Sequence, residues 1–161
     1  MSPTARSNPR DRLVHLDEPA VRELNAVAAI LESLAVRRAP AFDAARRARL
    51  RAANARLRRA PDAVTAAIAD SEVHALLVEP GADGDVLAML RPVRGALRTC
   101  AARRPGDGAE RHAAEHDAVI DALAAGDHAL AARRLREHVA GGLPALLEGV
   151  ANRTDRAGRA A

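Results

Sequence analysis

The sequence predicts an all-α protein, a single antiparallel bundle of about six helices. Three observations point there. Of the 161 residues 48% are apolar, mostly alanine and leucine, with one Phe and no Trp or Tyr. That mixture favours close-packed helices over a sheet rich in aromatic and β-branched residues. Apolar residues recur at helical rather than alternating spacing, and proline, glycine and aspartate fall between the periodic stretches. The length suits one domain with one core.

Residues 1 to 16 are polar, with Pro3 and Pro9, and read as a flexible arm before a domain over 17–151. Asp17-Glu18-Pro19 offers a cap, an acidic first turn and a proline near the first helical position. Val21, Leu24, Val27, Leu31 and Leu34 then carry helix one to about Arg38. A second helix, Phe42 to Arg59, has only Phe42, Leu50, Ala53 and Leu57 to bury, which places it outside the bundle. Its many arginines read as a solvated face, because no aromatic stacking residues are interleaved for nucleic acid.

Pro61-Asp62 opens helix three, which ends near Glu79 before a loop of Pro80, Gly81 and Gly84. Helix four, Asp85 to about Arg103, buries Val86, Leu90, Val93 and Leu97, with Arg91, Arg94 and Arg98 in a stripe beside them. Such a stripe is ordinarily solvated, but bordering a pocket it would meet an anionic ligand. After Pro105-Gly106-Asp107-Gly108 comes a helical hairpin, Glu110 to Val139, bent at Gly126-Asp127. Gly141-Gly142 and Pro144 then interrupt the last helix, Leu143, Leu146, Leu147 and Val150 pack once more, and 152–161 read as a frayed tail.

The charge of +4 rests on arginine as the only strong base, which looks like codon bias and adds little to a nucleic-acid reading. Cys100 stands alone, so an internal disulfide is excluded. The N-terminus lacks an apolar signal region and no run approaches the ~20 residues of a membrane span. A cytoplasmic protein with no membrane partner is expected.

The hairpin carries the chemistry. His116 shares a face with Val119, Ile120 and Leu123, and His138 with Leu130, Ala131 and Leu135. Both lie equally far from residue 127, so in an antiparallel hairpin the rings stand at one height, roughly 15 Å above the bend at ~1.5 Å per residue. Asp70 and His74, four residues apart, share a face of helix three. Together these four suit a divalent metal, Zn²⁺, Ni²⁺ or similar. Ordinary core residues remain the competing reading, since the chain has six histidines, of which His15 and His128 read as incidental. His112, one turn before His116, is the alternative metal ligand.

The run Asp70-Ser71-Glu72-Val73-His74-Ala75-Leu76-Leu77, the stretch from Glu115-His116-Asp117 through Ile120, Ala122-Leu123 and Gly126-Asp127, and then Glu137-His138, resemble the FCD domain. That is the C-terminal effector-binding domain of FadR-like GntR-family transcription regulators. The resemblance covers about residues 19 to 150 and includes Leu31-Glu32. It implies a bundle enclosing a central metal and ligand cavity, in which Asp70, His74, His116 and His138 hold a metal that helps bind a small carboxylate effector. It also implies a homodimer. The family's winged helix-turn-helix domain precedes the bundle, whereas about 18 residues precede the first helix here. Sequence-specific DNA binding by this chain alone is therefore not expected, and output would pass through a protein partner. The family's effector-binding arginine falls at Ala28-Ala29, and Val73 replaces a common aromatic.

The expected function is metal-dependent binding of a small organic acid without catalysis, with Arg91, Arg94 and Arg98 as candidate ligand contacts. Two rivals differ in class. A metal-dependent enzyme needs a general base, and Glu72 points off the ligand face by helical phase. The other rival is a structural interaction module whose metal site has decayed.

Overall fold

The computed structural model describes residues 16–103 and 108–159, with side chains placed as far as Asn152. Seven α-helices, and no strands, are found among the described residues. They are α1 (Glu18–Arg38), α2 (Ala44–Arg58), α3 (Ala63–Val78), α4 (Gly84–Ala101), α5 (Ala109–Ala124), α6 (His128–Gly141) and α7 (Leu143–Arg159), with a 3-10 turn at Glu79–Gly81. The break at Gly142 is what makes α7 a helix separate from α6. The arm expected over 1–16 lies outside the described residues except for Leu16, which is buried in the core.

Aspartates set most of the helix starts. The carboxylates of Asp17, Asp43, Asp62, Asp83 and Asp127 accept the backbone N–H groups of Ala20, Arg46, Thr65, Val86 and Leu130 at 2.7–2.9 Å. Each satisfies an otherwise orphaned donor and contributes about 1 kcal/mol. This is why α2 begins after Asp43 rather than at Phe42.

The hairpin bend closes α5 through a paired arrangement. Gly126 N–H donates to Leu123 O at 3.0 Å and Asp127 N–H to Ala122 O at 2.9 Å. Gly126 sits at φ 76°, where an L side chain would be strained. Gly81 serves another purpose, because a Cβ there would lie 1.8 Å from Ala35 O. Its bareness lets the 3-10 turn seat on the α1 backbone.

α1 packs along α6 and touches α3, α4 and α7, while α2 lies across α3 and α5. The main core joins Val21, Val36, Leu50, Val73, Leu77, Ile120, Leu123 and Leu135. α1 departs from its simple apolar pattern. It buries Ala28, Ala29 and Ala35 together with polar Asn25 and Glu32, and turns Val27, Ile30 and Leu34 to solvent at 38%, 54% and 40% exposure. Small residues let the neighbouring backbones approach closely, so the larger side chains are left outside.

The arginine face of α2 is not simply solvated. Arg51 pairs with Asp117 and Asp121, Arg58 with Glu110 and Asp117, and Arg56 with Glu72. Exposed pairs of this kind contribute little individually, but they orient α2 on α5. No helix among the described residues is long and apolar enough to cross a membrane.

Candidate metal centre

Four side chains from three helices converge at the middle of the bundle. α3 supplies Asp70 and His74 one turn apart, α5 supplies His116, and α6 supplies His138. The three histidine Nε2 atoms form a triangle with every side 3.1 Å. Asp70 Oδ1 lies 3.7 Å from His116 Nε2, and its Oδ2 3.8 Å from His74 Nε2. One ligand atom from each of the four residues lies within 4.8 Å of all the others. The histidines are buried and the carboxylate is half-buried.

The opposite ring nitrogens fix the tautomers. His74 Nδ1 lies 2.8 Å from Glu32 Oε2, and His138 Nδ1 donates to Glu115 Oε2 at 2.6 Å. His116 Nδ1 is 3.2 Å from Asn54 Oδ1, while Asn54 Nδ2 donates to Ala113 O at 2.8 Å and Asp117 Oδ1 at 2.9 Å. With both amide protons engaged, Asn54 can only accept from His116. His116 and His138 therefore carry the proton on Nδ1 and present Nε2 lone pairs, whereas His74 Nδ1 lies against both Glu32 Oε2 and the Arg94 guanidinium. Such lone pairs and a carboxylate facing one point repel one another unless a proton or a metal cation sits between them.

Electrostatics agree with that assignment. Burial, reinforced by the His74 imidazole, holds His116 well below the usual histidine range and pushes His138 down to about 4. Both rings are neutral near pH 7, which is the form that ligates. Burial works to raise Asp70 and Glu32, yet the neighbouring His74 and a hydrogen bond from His112 hold Asp70 well below the carboxylate range. Arg94 and His74 likewise hold Glu32 below it. Glu32 Oε2 faces both His74 Nδ1 and Arg94 Nη2, which also contact each other, whereas its buried Oε1 has no hydrogen-bond partner among the described residues.

The spacing fits a divalent ion. Three nitrogens 3.1 Å apart, each ~2.1 Å from a common point, subtend about 95° there, nearer an octahedral ion's ~90° than a tetrahedral ion's ~109°.

Two chambers adjoin the cluster. The inner one, about 60 Å³, is bordered by Asn25, Asp70, His74, His138, Arg94 and Arg98. The outer one, about 340 Å³, lies over Glu32, Arg91, Arg94 and Arg98, with Val78, Leu87 and Leu90 as an apolar wall. Ser71, His74, Arg94 and Arg98 belong to both.

The structure thus brings together Asp70, His74, His116 and His138. His112 stands behind them, its Nδ1 3.3 Å from Asp70 Oδ1, so it contacts the carboxylate rather than joining the four. Arg91, Arg94 and Arg98 border a chamber, and Arg94 additionally holds Glu32. Ala28 is fully buried. His128 Nδ1 donates to Val36 O at 3.3 Å, an α6–α1 contact that involves none of the four. Glu72 is exposed and paired with Arg56. Sequence reasoning missed the roles of Glu32, Asn54 and Glu115. A signal for Asn54 was present, a polar residue inside the Leu50, Ala53, Leu57 strip.

A helical bundle with a buried triad of histidines beside cation-lined chambers defines the protein as a helical ligand-binding domain. The chain matches the FCD domain over residues 23–141, which is most of its length, and it belongs to that family. FCD domains are the regulatory effector-binding domains of GntR-type regulators. No curated protein and no solved structure matches the chain significantly.

Proposed function

We propose that Asp70, His74, His116 and His138 hold a divalent metal ion, Zn²⁺, Ni²⁺ or similar, and that the loaded site binds a small carboxylate effector without transforming it. The observation that carries this reading is the convergence of three Nε2 atoms at 3.1 Å, with Nδ1 donating on the far side of the ring in His116 and His138 and held between Glu32 and Arg94 in His74. Partners on the second nitrogen fix ring orientation and raise ligand basicity. When bound, the ion supplies positive charge to the inner chamber. Arg94 and Arg98 add their own, so the arginine absent at Ala28 is replaced from another helix.

Exposed Val27, Ile30 and Leu34 on α1 support self-association as a homodimer. The functional reading is tested by calorimetric titration of acetate or butyrate into metal-loaded and metal-stripped protein. Binding to the loaded form alone is expected, and equal binding to both forms contradicts it.

A further inference from the structure

The chamber sizes and the order of arginines along α4 point to the kind of acid. The inner chamber, at the four-residue cluster, is the smaller, about 60 Å³ against about 340 Å³ for the outer one. Arg94 and Arg98 border both, so an acid held at the cluster can extend its body past them into the outer chamber.

There it meets a specific environment. Arg91, Arg94 and Arg98 share one face of α4, and Arg91 borders the outer chamber only. Arg94 commits Nη2 to Glu32, leaving other donors of its five-donor guanidinium. Arg91 and Arg98 have no carboxylate partner among the described residues. Glu32 and Glu79 are the carboxylates bordering this chamber among the described residues, against three arginines, so an excess of positive charge remains. Val78, Leu87 and Leu90 line the space with hydrocarbon.

We propose that the effector is an open-chain dicarboxylate. One carboxylate sits in the inner chamber at the four-residue cluster, the methylene chain crosses beside Arg94 onto the apolar wall, and the second carboxylate is received by Arg91 with Arg98 at the passage. This rests on the metal-dependent reading above and adds the second anionic subsite. Bidentate guanidinium–carboxylate pairing makes Arg91 the residue that distinguishes a diacid from a monoacid of equal length.

The experiment titrates glutarate and valerate, five-carbon acids with two and one carboxylates, into metal-loaded wild-type and Arg91→Gln protein, with metal content measured in each. Glutarate is expected to bind wild type at least tenfold more tightly than valerate, and Arg91→Gln should collapse that ratio toward one. Arg91→Lys should restore part of it. Equal affinities in wild type, or a tenfold preference that survives Arg91→Gln, overturns the proposal while leaving the metal reading intact if both acids need the ion. Glutarate binding that persists in stripped protein and still depends on Arg91 overturns the spanning arrangement together with the metal reading.

Discussion

The Nε2 atoms of His116 and His138 stand 3.1 Å apart across the α5–α6 hairpin, each with its other nitrogen bonded outward, to Asn54 and to Glu115. Neither ring can donate to the other. A contact between two acceptors is unfavourable alone and favourable around a cation, which is why this pair motivates the proposed metal site.

Metal removal should lower stability. An ion bound to α3, α5 and α6 stabilises only the folded chain, by about 2.7 kcal/mol at a hundredfold excess over Kd. For a chain of this size that is a shift in Tm of several degrees, on the order of 5–10 °C. Differential scanning calorimetry with and without chelator checks it, and an unchanged Tm counts against the site.

The residues behind the ligands should matter. Asn54→Ala frees the His116 Nδ1 proton from its acceptor, and loss of such a partner weakens metal affinity 10–100-fold as an order of magnitude. His128→Ala should leave affinity unchanged, since its bond goes to Val36 O. Competition titrations against a chromophoric chelator compare the variants, and equal affinities for Asn54→Ala and wild type would remove the positioning role.

Acid should destabilise the metal-stripped protein. His116 and His138 have folded pKa values below the unfolded value of ~6.5, so between the two the unfolded chain binds more protons and stability rises with pH. Their contribution is therefore complete above pH ~6.5 and falls as pH is lowered toward about 4, the His138 value. With metal present the fall steepens, because protons compete with the ion for each ring. Urea midpoints from pH 7.5 to 4.5 report this, and a flat profile contradicts it.

The α1 face gives a fourth outcome. Ile30, 54% exposed between Val27 and Leu34, lies at the centre of the proposed dimer surface, and Ile30→Arg should shift the protein toward monomer without loss of metal. Sedimentation equilibrium decides, and a monomeric wild type at high concentration removes the dimer.

Much of this was legible in the chain. Helical periodicity placed most element bounds to within about two residues, because it is a local signal, whereas α7 runs on to Arg159 where the sequence suggests a frayed tail from 152. The equal distances of His116 and His138 from residue 127 located the hairpin pair, and the four-residue spacing joined Asp70 to His74. The Nδ1 partners were hidden for a physical reason. Glu32 and His74 are 42 positions apart, and Asn54 and His116 are 62 apart, so their meeting depends on how helices cross rather than on phase within one helix. The inward turn of Glu32, and the outward turn of Ile30, follow from close alanine packing around α1 that no hydrophobicity pattern conveys.

Elemental analysis of protein purified without a histidine tag asks directly whether these four side chains bind an ion. The metal centre requires one divalent metal per chain in wild type, and its loss in His116→Ala and in His138→Ala variants that still melt cooperatively. Full metal content in both variants, or a metal-free wild type that takes up no ion when offered zinc or nickel, would contradict it and leave a structural module with a decayed site.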